Sequence, residues 1–406
     1  MNHAERAFAW HRSGPVAEAW LTNLLDAPDM PYALGARHVS RSGTCVCVGA
    51  GPSLSRTGPE LRRMQEAGAL ICTVNTALPA VSRYCVPDVV LAREVVDVSS
   101  HLAHPAGLRV LDLGASPEAW DVARVMGPTA WFIAGSTNTF ELAATIGVRP
   151  LFGGPSALTA MVALCEEWGA AEIVLVGCDL AFASDGSVYA DGSAFSGQRA
   201  TFDANGVATN AGDGFAAKLA QHAAGGVEPY PTQETTLEID GYDGPVRTIA
   251  QWAEQIEWLA TFAHRRADIV CVDATGSGAK KPGWRAAEML SLDIVRSFDR
   301  HGYAMSPWPS RPRYAALDAE AVRTSVRVHL TRQVDVAEEV AVNALHPDGD
   351  PACVDGLLEG FDVVDMLAAR SLLAGAESSA PTIVRIRHAY GKSYPLACAR
   401  LRELMP

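Results

Sequence analysis

The stretch Cys45–Leu54, CVCVGAGPSL, is a short apolar run that breaks into glycine, proline and serine. Small and β-branched residues alternate up to Gly49 and read as a buried strand; Gly49, Gly51, Pro52 and Ser53 read as the tight loop into which it empties. Behind the loop, Thr57 with Glu60 three residues later forms a capping box for the helix LRRMQEA, which Gly68 ends. Such a loop has two uses. It is a plain strand-to-helix turn, or it is an anion site in which free backbone N–H groups and the positive end of the helix dipole face a phosphate, with glycine allowing close approach.

Working outward, ALICTVN (69–75), PDVVLARE (87–94), LRVLDLG (108–114) and TAWFIAGS (129–136) are further buried strands, each separated from the last by a helix or loop. That pattern predicts an α/β fold built on a doubly wound, mainly parallel sheet. Ligands in that architecture bind beyond the carboxyl ends of the strands. Gly49–Ser53, Asn75, Glu94 and Ser136–Asn138 fall there.

A second glycine turn lies in LFGGPSALTAMVALCEEWGA (151–170), where Gly153, Gly154, Pro155 and Ser156 lead from a strand end into an amphipathic helix closed by Gly169. EIVLVGCDLAF (172–182) is another buried strand, expected to end at Asp179. Two glycine-proline-serine turns, each between a strand and a helix, suit a diphosphate or a nucleotide phosphate with a second acidic group. Asp179 reads equally as a carboxylate for a metal ion or ligand hydroxyl and as the N-cap of the next turn.

The segment ASDGSVYADGSAFSGQ (183–198) reads as a lid or acceptor-binding loop, or as a surface hairpin turning at YADG. Residues 201–235 carry little periodicity beyond DGFAAKLAQHAA, whose His222 is a candidate general base or a structural histidine. EIDGYDGPVRT (238–248) is a polar hairpin, IAQWAEQIEWLATFAHRR (249–266) an amphipathic helix and ADIVCVDAT (267–275) a strand. GSGAKKPGW then brings Lys280 and Lys281 to the sheet's carboxyl edge, either to neutralise phosphate or as a solvated basic turn.

Residues 1–40 read as a helical lead-in, SPWPSRPRY (306–314) as a proline-rich linker and 315–406 as mainly helical. In that last region Asp348-Gly349-Asp350 reads as a polar turn between prolines. Gly391-Lys392-Ser393 lacks the earlier glycine of a P-loop, Ile386 standing in its place.

Composition bounds the function. With 406 residues, 49% of them hydrophobic and 19% charged, the chain has an ordinary globular balance. A net charge of −13 argues against a general nucleic-acid or membrane-surface binder, which needs a basic face. No apolar run approaches the roughly 20 residues that span a bilayer. The opening MNHAERAFAWHR lacks the order of a signal peptide, so a cytoplasmic protein is expected. The nine cysteines sit mostly inside apolar segments and read as buried core residues rather than metal ligands. GAGPSL lacks the third glycine of the dinucleotide fingerprint, and Asn75 stands where a ribose-binding acid belongs, which argues against a nicotinamide enzyme. GxSxG, HExxH and kinase signatures are missing as well.

The ordered set GAGPSL (49–54), TVNTAL (73–78), PDVVLARE (87–94), GGPSALTA (153–160), IVLVGCDLAF (173–182) with YADG (189–192), and DATGSGAK (273–280) resembles one family. It is similar to the motility-associated-factor (Maf) glycosyltransferases, whose shared domain resembles 6-hydroxymethylpterin pyrophosphokinases of the MptE-like type. The resemblance implies a Rossmann-like nucleotide-binding transferase domain over residues 41–290. It further implies transfer of a nonulosonic, sialic-type acid from a CMP-sugar to flagellin or a glycan. On this resemblance Gly49, Gly51, Pro52 and Ser53 would meet nucleotide phosphate, Asn75 and Glu94 would line the donor pocket, and Gly154 with Gly153, Ser156 and Asp179 would complete it. Lys280 or Lys281 would steady the departing phosphate, and Glu94, Asp179 or His222 would deprotonate the acceptor hydroxyl. The pyrophosphokinase alternative would place ATP and Mg²⁺ on Asp179 and Glu94; otherwise no cofactor is expected. A third alternative is a nucleotide- or sugar-binding module without catalysis.

Overall fold

The computed structural model describes residues 43–134, 150–227 and 230–292, together with Ala19, Asn23, Thr324 and Val328. Apart from those four residues, the expected lead-in helices, Ser136–Asn138, the 306–314 linker and the 315–406 helical region lie outside the described residues.

Eight strands form one parallel sheet. In chain order they are β1 (Thr44–Val48), β2 (Leu70–Val74), β3 (Val89–Ala92), β4 (Leu108–Asp112), β5 (Thr129–Phe132), β6 (Glu172–Val176), β11 (Val270–Asp273) and β12 (Arg285–Ala286). Their order across the sheet is β12-β11-β6-β1-β2-β3-β4-β5. The chain therefore winds outward from β1 to β5, returns to the other side of β1 with β6, and winds outward again. β1, β2, β3, β4, β5 and β6 are buried along their whole length, as near-continuous apolar runs require when both faces of a parallel sheet are covered. The fold is the Rossmann-like doubly wound α/β type that the strand pattern predicts.

Helices follow the strands: α1 (Leu54–Thr57), α2 (Leu61–Glu66), α3 (Leu78–Val81), α4 (Ser99–Leu102), α5 (Pro117–Met126), α6 (Ala157–Glu167), α7 (Asp213–Ala224) and α8 (Ala250–Arg265). The helix after the first glycine loop begins at Leu54, earlier than the expected capping box. Thr57 is its last residue, and its hydroxyl donates back to the Ser53 carbonyl at 3.0 Å, while Glu60 pairs with Arg63. No capping box forms there. The second helix start does carry one: the Ser156 hydroxyl accepts from the Thr159 N–H, and the Thr159 hydroxyl accepts from the Ser156 N–H. The strand expected before it is reduced to a single bridge between Leu151 and Ala134.

A second sheet, order β10-β9-β8-β7, is antiparallel and consists of β7 (Arg199–Phe202), β8 (Val207–Ala211), β9 (Gln233–Gly241) and β10 (Gly244–Ile249). Its β9-β10 hairpin matches the polar hairpin read from sequence; β7 and β8 were not read there, because these short strands are half-exposed with little apolar alternation. The seven described cysteines are buried free thiols. Cys45, Cys72 and Cys165 bring their sulfurs within 4.8 Å of one another between β1, β2 and α6, and Cys47 lies 3.6 Å from Cys165. Burial and thiol-to-thiol hydrogen bonds push Cys45, Cys47 and Cys72 up, which keeps them protonated. Hydrogen bonding with these three pushes Cys165 down. Among the described residues no helix is long and apolar enough to cross a membrane.

Candidate functional site

The reversal of strand order between β1 and β6 opens a crevice at the carboxyl edge of the sheet, the place where open α/β sheets bind ligands. A cleft of about 480 Å³ occupies it. Gly49, Ala50 and Gly51 after β1, Gly177 to Asp179 after β6, Arg93 and Glu94 after β3, and Ser156 to Leu158 at the start of α6 line its floor and one wall. The opposite wall and roof come from the 183–198 segment, β8, β9, α7 and α8, with Tyr189, Gln198, Asn210, Lys218, His222, Tyr230, Glu234 and Trp252 facing in.

The first glycine loop is not a free anion cradle. Its amides continue the β1-β6 ladder beyond the strand ends: Gly49 N–H donates to the Val176 carbonyl and Gly51 N–H to the Gly177 carbonyl, both at 2.8 Å. The Ser53 N–H and hydroxyl both donate to Asp179 Oδ2, at 3.1 and 2.7 Å, and Ser277 donates to Oδ1 at 2.8 Å. Asp179 thus sits where a phosphate was expected, at the N-terminus of α1, and pins the β1 loop to the loop after β11. The glycines serve that close approach. A Cβ on Gly51 would stand 2.2 Å from Asp179 Oδ2, and one on Gly49 would stand 2.6 Å from the Gly177 carbonyl. Leu180, directly after, is held at φ 48°, a strained conformation for a leucine.

Of the residues singled out from sequence, Gly49, Gly51, Glu94, Ser156, Asp179 and His222 converge on the cleft. Pro52, Ser53, Asn75, Gly153, Gly154, Lys280 and Lys281 are not among its lining residues, and packing explains several. Lys281 is buried in an ion pair with Asp273 at 3.0 Å, in a cluster that Tyr242 joins by donating to Asp273 at 2.6 Å. The Tyr242 bond ties the hairpin to the parallel sheet, and the ion pair withdraws Lys281 from any phosphate. Lys280 is exposed, and its N–H donates to the Asp240 carbonyl. Asn75 is buried, donating from Nδ2 to His101 Nδ1 at 3.3 Å. A Cβ on Gly153 would strike Ala160, and one on Gly154 would strike the Trp258 ring, so both glycines are needed for helix packing. The Gly154 carbonyl accepts from Arg93, which aims that guanidinium beside the α6 N-terminus.

Burial pushes the Glu94 carboxyl above its ordinary range, against the opposing pull of Lys218 and Arg93. Lys218 itself is 8% exposed. Its ammonium lies 3.3 Å over the Tyr230 ring and donates to the Tyr189 hydroxyl at 3.2 Å. His222, one turn further along α7, meets Tyr230 edge-on at 4.8 Å between ring centres. A hydrogen-bonded chain runs across the roof: Gln198 donates to Asn210 Oδ1 at 3.0 Å, and Asn210 donates to Glu234 at 3.1 Å. The buried Gln198 Oε1 is left without a donor among the described residues.

Sequence reasoning missed Lys218, Tyr189, Gln198, Asn210, Tyr230 and Glu234. One signal was present: Phe215, Lys218 and His222 share a stripe on α7 at helical spacing, which places a lysine on a face otherwise set inward.

Residues 19–185 match the family described as 6-hydroxymethylpterin diphosphokinase MptE-like. This span is similar to that family over about two fifths of the chain. The structure is also similar to the Maf glycosyltransferase from Magnetospirillum magneticum AMB-1, with a TM-score of 0.60 at 15% identity. The match covers 96% of this chain and 57% of that one, so the chain spans little more than half the length of that protein. Comparison with curated protein sequences finds no match. The MptE-like span supplies the cleft's floor and one wall, whereas Lys218, His222, Tyr230 and Glu234 come from beyond it.

Proposed function

We propose that the protein is a nucleotide-dependent transferase of the Maf-like glycosyltransferase kind, moving a nonulosonic acid from a CMP-sugar to a hydroxyl on flagellin or a glycan in the cytoplasm. The observation that carries this reading is the two-sided cleft at the strand-order reversal: an α6 N-terminus and Arg93 on one side, hydroxyl-reading and ionisable groups on the other. In it, the donor's phosphate lies against the first turn of α6, where the Ala157 and Leu158 amides and the helix dipole favour negative charge. Arg93 neutralises the phosphate as it departs from an oxocarbenium-like sugar. Glu94 or His222 takes the proton of the attacking hydroxyl, and the raised basicity of Glu94 suits that task. Asp179 is excluded as the base, since its two oxygens already accept from three donors.

The MptE-like match keeps a pyrophosphokinase as the second reading. Its Mg²⁺ would need Asp179 and Glu94, and they fit the ion poorly: Asp179 is committed to Ser53 and Ser277, and Glu94 stands in the field of two cations. The test is a thermal-shift panel of CMP, CDP, UDP and ATP, each with and without Mg²⁺. The transferase reading expects stabilisation by CMP without metal. Stabilisation by ATP only with Mg²⁺ would move the assignment to the kinase, and no shift with any nucleotide would leave a protein that is neither.

A further inference from the structure

Across the roof of the cleft, Gln198, Asn210 and Glu234 form a hydrogen-bonded chain whose direction is fixed from one end. A carboxylate only accepts, so Asn210 turns its Nδ2 to Glu234, at 3.1 Å. The Asn210 Oδ1 then faces the other way and accepts from Gln198 Nε2 at 3.0 Å. Gln198 is left with its Oε1 as a buried acceptor that has no donor among the described residues. Gln198 and Asn210 are 5% and 6% exposed, and all three residues line the cleft. Either amide on its own could be reversed by a half-turn about its last bond; the Glu234 carboxylate removes that freedom from both. A buried acceptor without a partner is costly. A ligand that brings an N–H or O–H lifts that cost, and one that brings a second acceptor adds to it.

The same roof offers surface to a flat ring. Trp252 lines the cleft, half-buried, with its ring centre 4.9 Å from that of Phe182, and it packs on an apolar cluster that contains Phe182 and Val188. The Val188 N–H donates to the Gln198 carbonyl at 3.2 Å, so the amide chain starts beside that cluster. The α6 N-terminus and Arg93, which suit phosphate, belong to the other side of the cleft. Phosphate and flat ring thus have separate places in one cleft.

We propose that Gln198 is the base-reading residue of this cleft and Glu234 its positioning residue. Acting through Asn210, Glu234 holds the Gln198 Oε1 as a fixed acceptor, so the site selects nucleobases that carry an amino group, cytosine or adenine, over their oxo counterparts uracil and hypoxanthine. The inference rests on the reading of the cleft as a nucleotide site, and it holds for transferase and kinase chemistry alike.

The test titrates the full chain calorimetrically with two pairs of nucleotides, CMP with UMP and AMP with IMP; within each pair an amino donor is exchanged for an oxo acceptor. In the pair it accepts, wild type binds the amino member about tenfold or more tighter, the worth of a buried acceptor gaining or losing its donor. Glu234→Gln places a donor as well as an acceptor at the end of the chain and frees both amides to reverse, so the preference falls to about threefold or less. Gln198→Met removes the acceptor at similar volume and lowers the preference in the same way, and it carries the test if Glu234→Gln does not fold. A merely structural role would weaken both members of a pair equally and leave their ratio as in wild type; an unchanged ratio in the folded variants overturns the proposal. Wild type that binds amino and oxo members equally overturns this proposal alone, with the nucleotide reading intact. Wild type that binds none of the four overturns the nucleotide reading and this proposal with it.

Discussion

At the residue scale, buried polar groups divide into those that hold the edge of the sheet together and those left available in the cleft. Asp179 belongs to the first kind. Replacing it with alanine strands the Ser53 amide and hydroxyl and the Ser277 hydroxyl, and each buried unpaired donor costs about 1–3 kcal/mol. Urea denaturation of Asp179→Ala is expected to show a loss of about 3 kcal/mol; a loss below about 1 kcal/mol would mean that the staple does not form. His101 belongs to the same kind. Burial, the largest influence, pushes its imidazole down to about 4 from an ordinary 6.5. Between those values the unfolded chain takes up a proton that the folded protein refuses. Stability is therefore full above pH 6.5 and declines by roughly 3 kcal/mol as pH falls to about 4. His101→Phe should flatten that part of a stability-against-pH curve, and an unchanged slope would assign the acid sensitivity elsewhere.

At the element scale, the parallel strands and the helix after the second glycine turn were legible in the sequence because the interior imposes them, whereas the capping box expected at Thr57 and Glu60 forms instead at Ser156 and Thr159. A parallel strand covered on both faces must be a continuous apolar run, as ALICTVN and EIVLVGCDL are, and Ser156 with Thr159 can satisfy the amides of a helix start wherever they occur. The use of the first glycine loop was not legible. CVCVGAGPSL states that two backbones come close but not what comes close; the answer, the Gly177 carbonyl and the Asp179 carboxylate, arrives from about 126 residues later in the chain. β7 and β8 escaped for the opposite reason, since half-exposed strands carry no strict alternation. The thiols between β1, β2 and α6 illustrate the sealed interior. Cys178, which follows β6 at the cleft floor, is likewise buried, and burial pushes it up to about 12. Native protein treated with a thiol-specific reagent and mapped by peptide mass spectrometry should be unmodified at Cys45, Cys47, Cys72, Cys165 and Cys178 until it unfolds. Labelling in the folded state would show that the space between sheet and helix opens to solvent.

At the scale of the whole molecule, the two sheets divide the work. The parallel sheet fixes the positions of Arg93, Glu94 and the α6 N-terminus by placing strand ends side by side, and the antiparallel sheet with α7 closes a polar roof over them. The strand-order reversal, which follows from β6 returning beside β1, creates the space between. Sequence reasoning pointed to the carboxyl edge of the sheet, where this crevice lies, but populated it from the motifs alone. The roof residues lie in the weakly patterned stretch after the motifs, and only the fold brings them over the site. The central claim is that a nucleotide donor binds in this cleft. Hydrogen exchange of the full chain, with and without saturating CMP, measures it most directly. The account predicts slowed exchange in peptides covering 153–160, 187–199 and 213–227. No protection there, or protection confined to other segments, would contradict it.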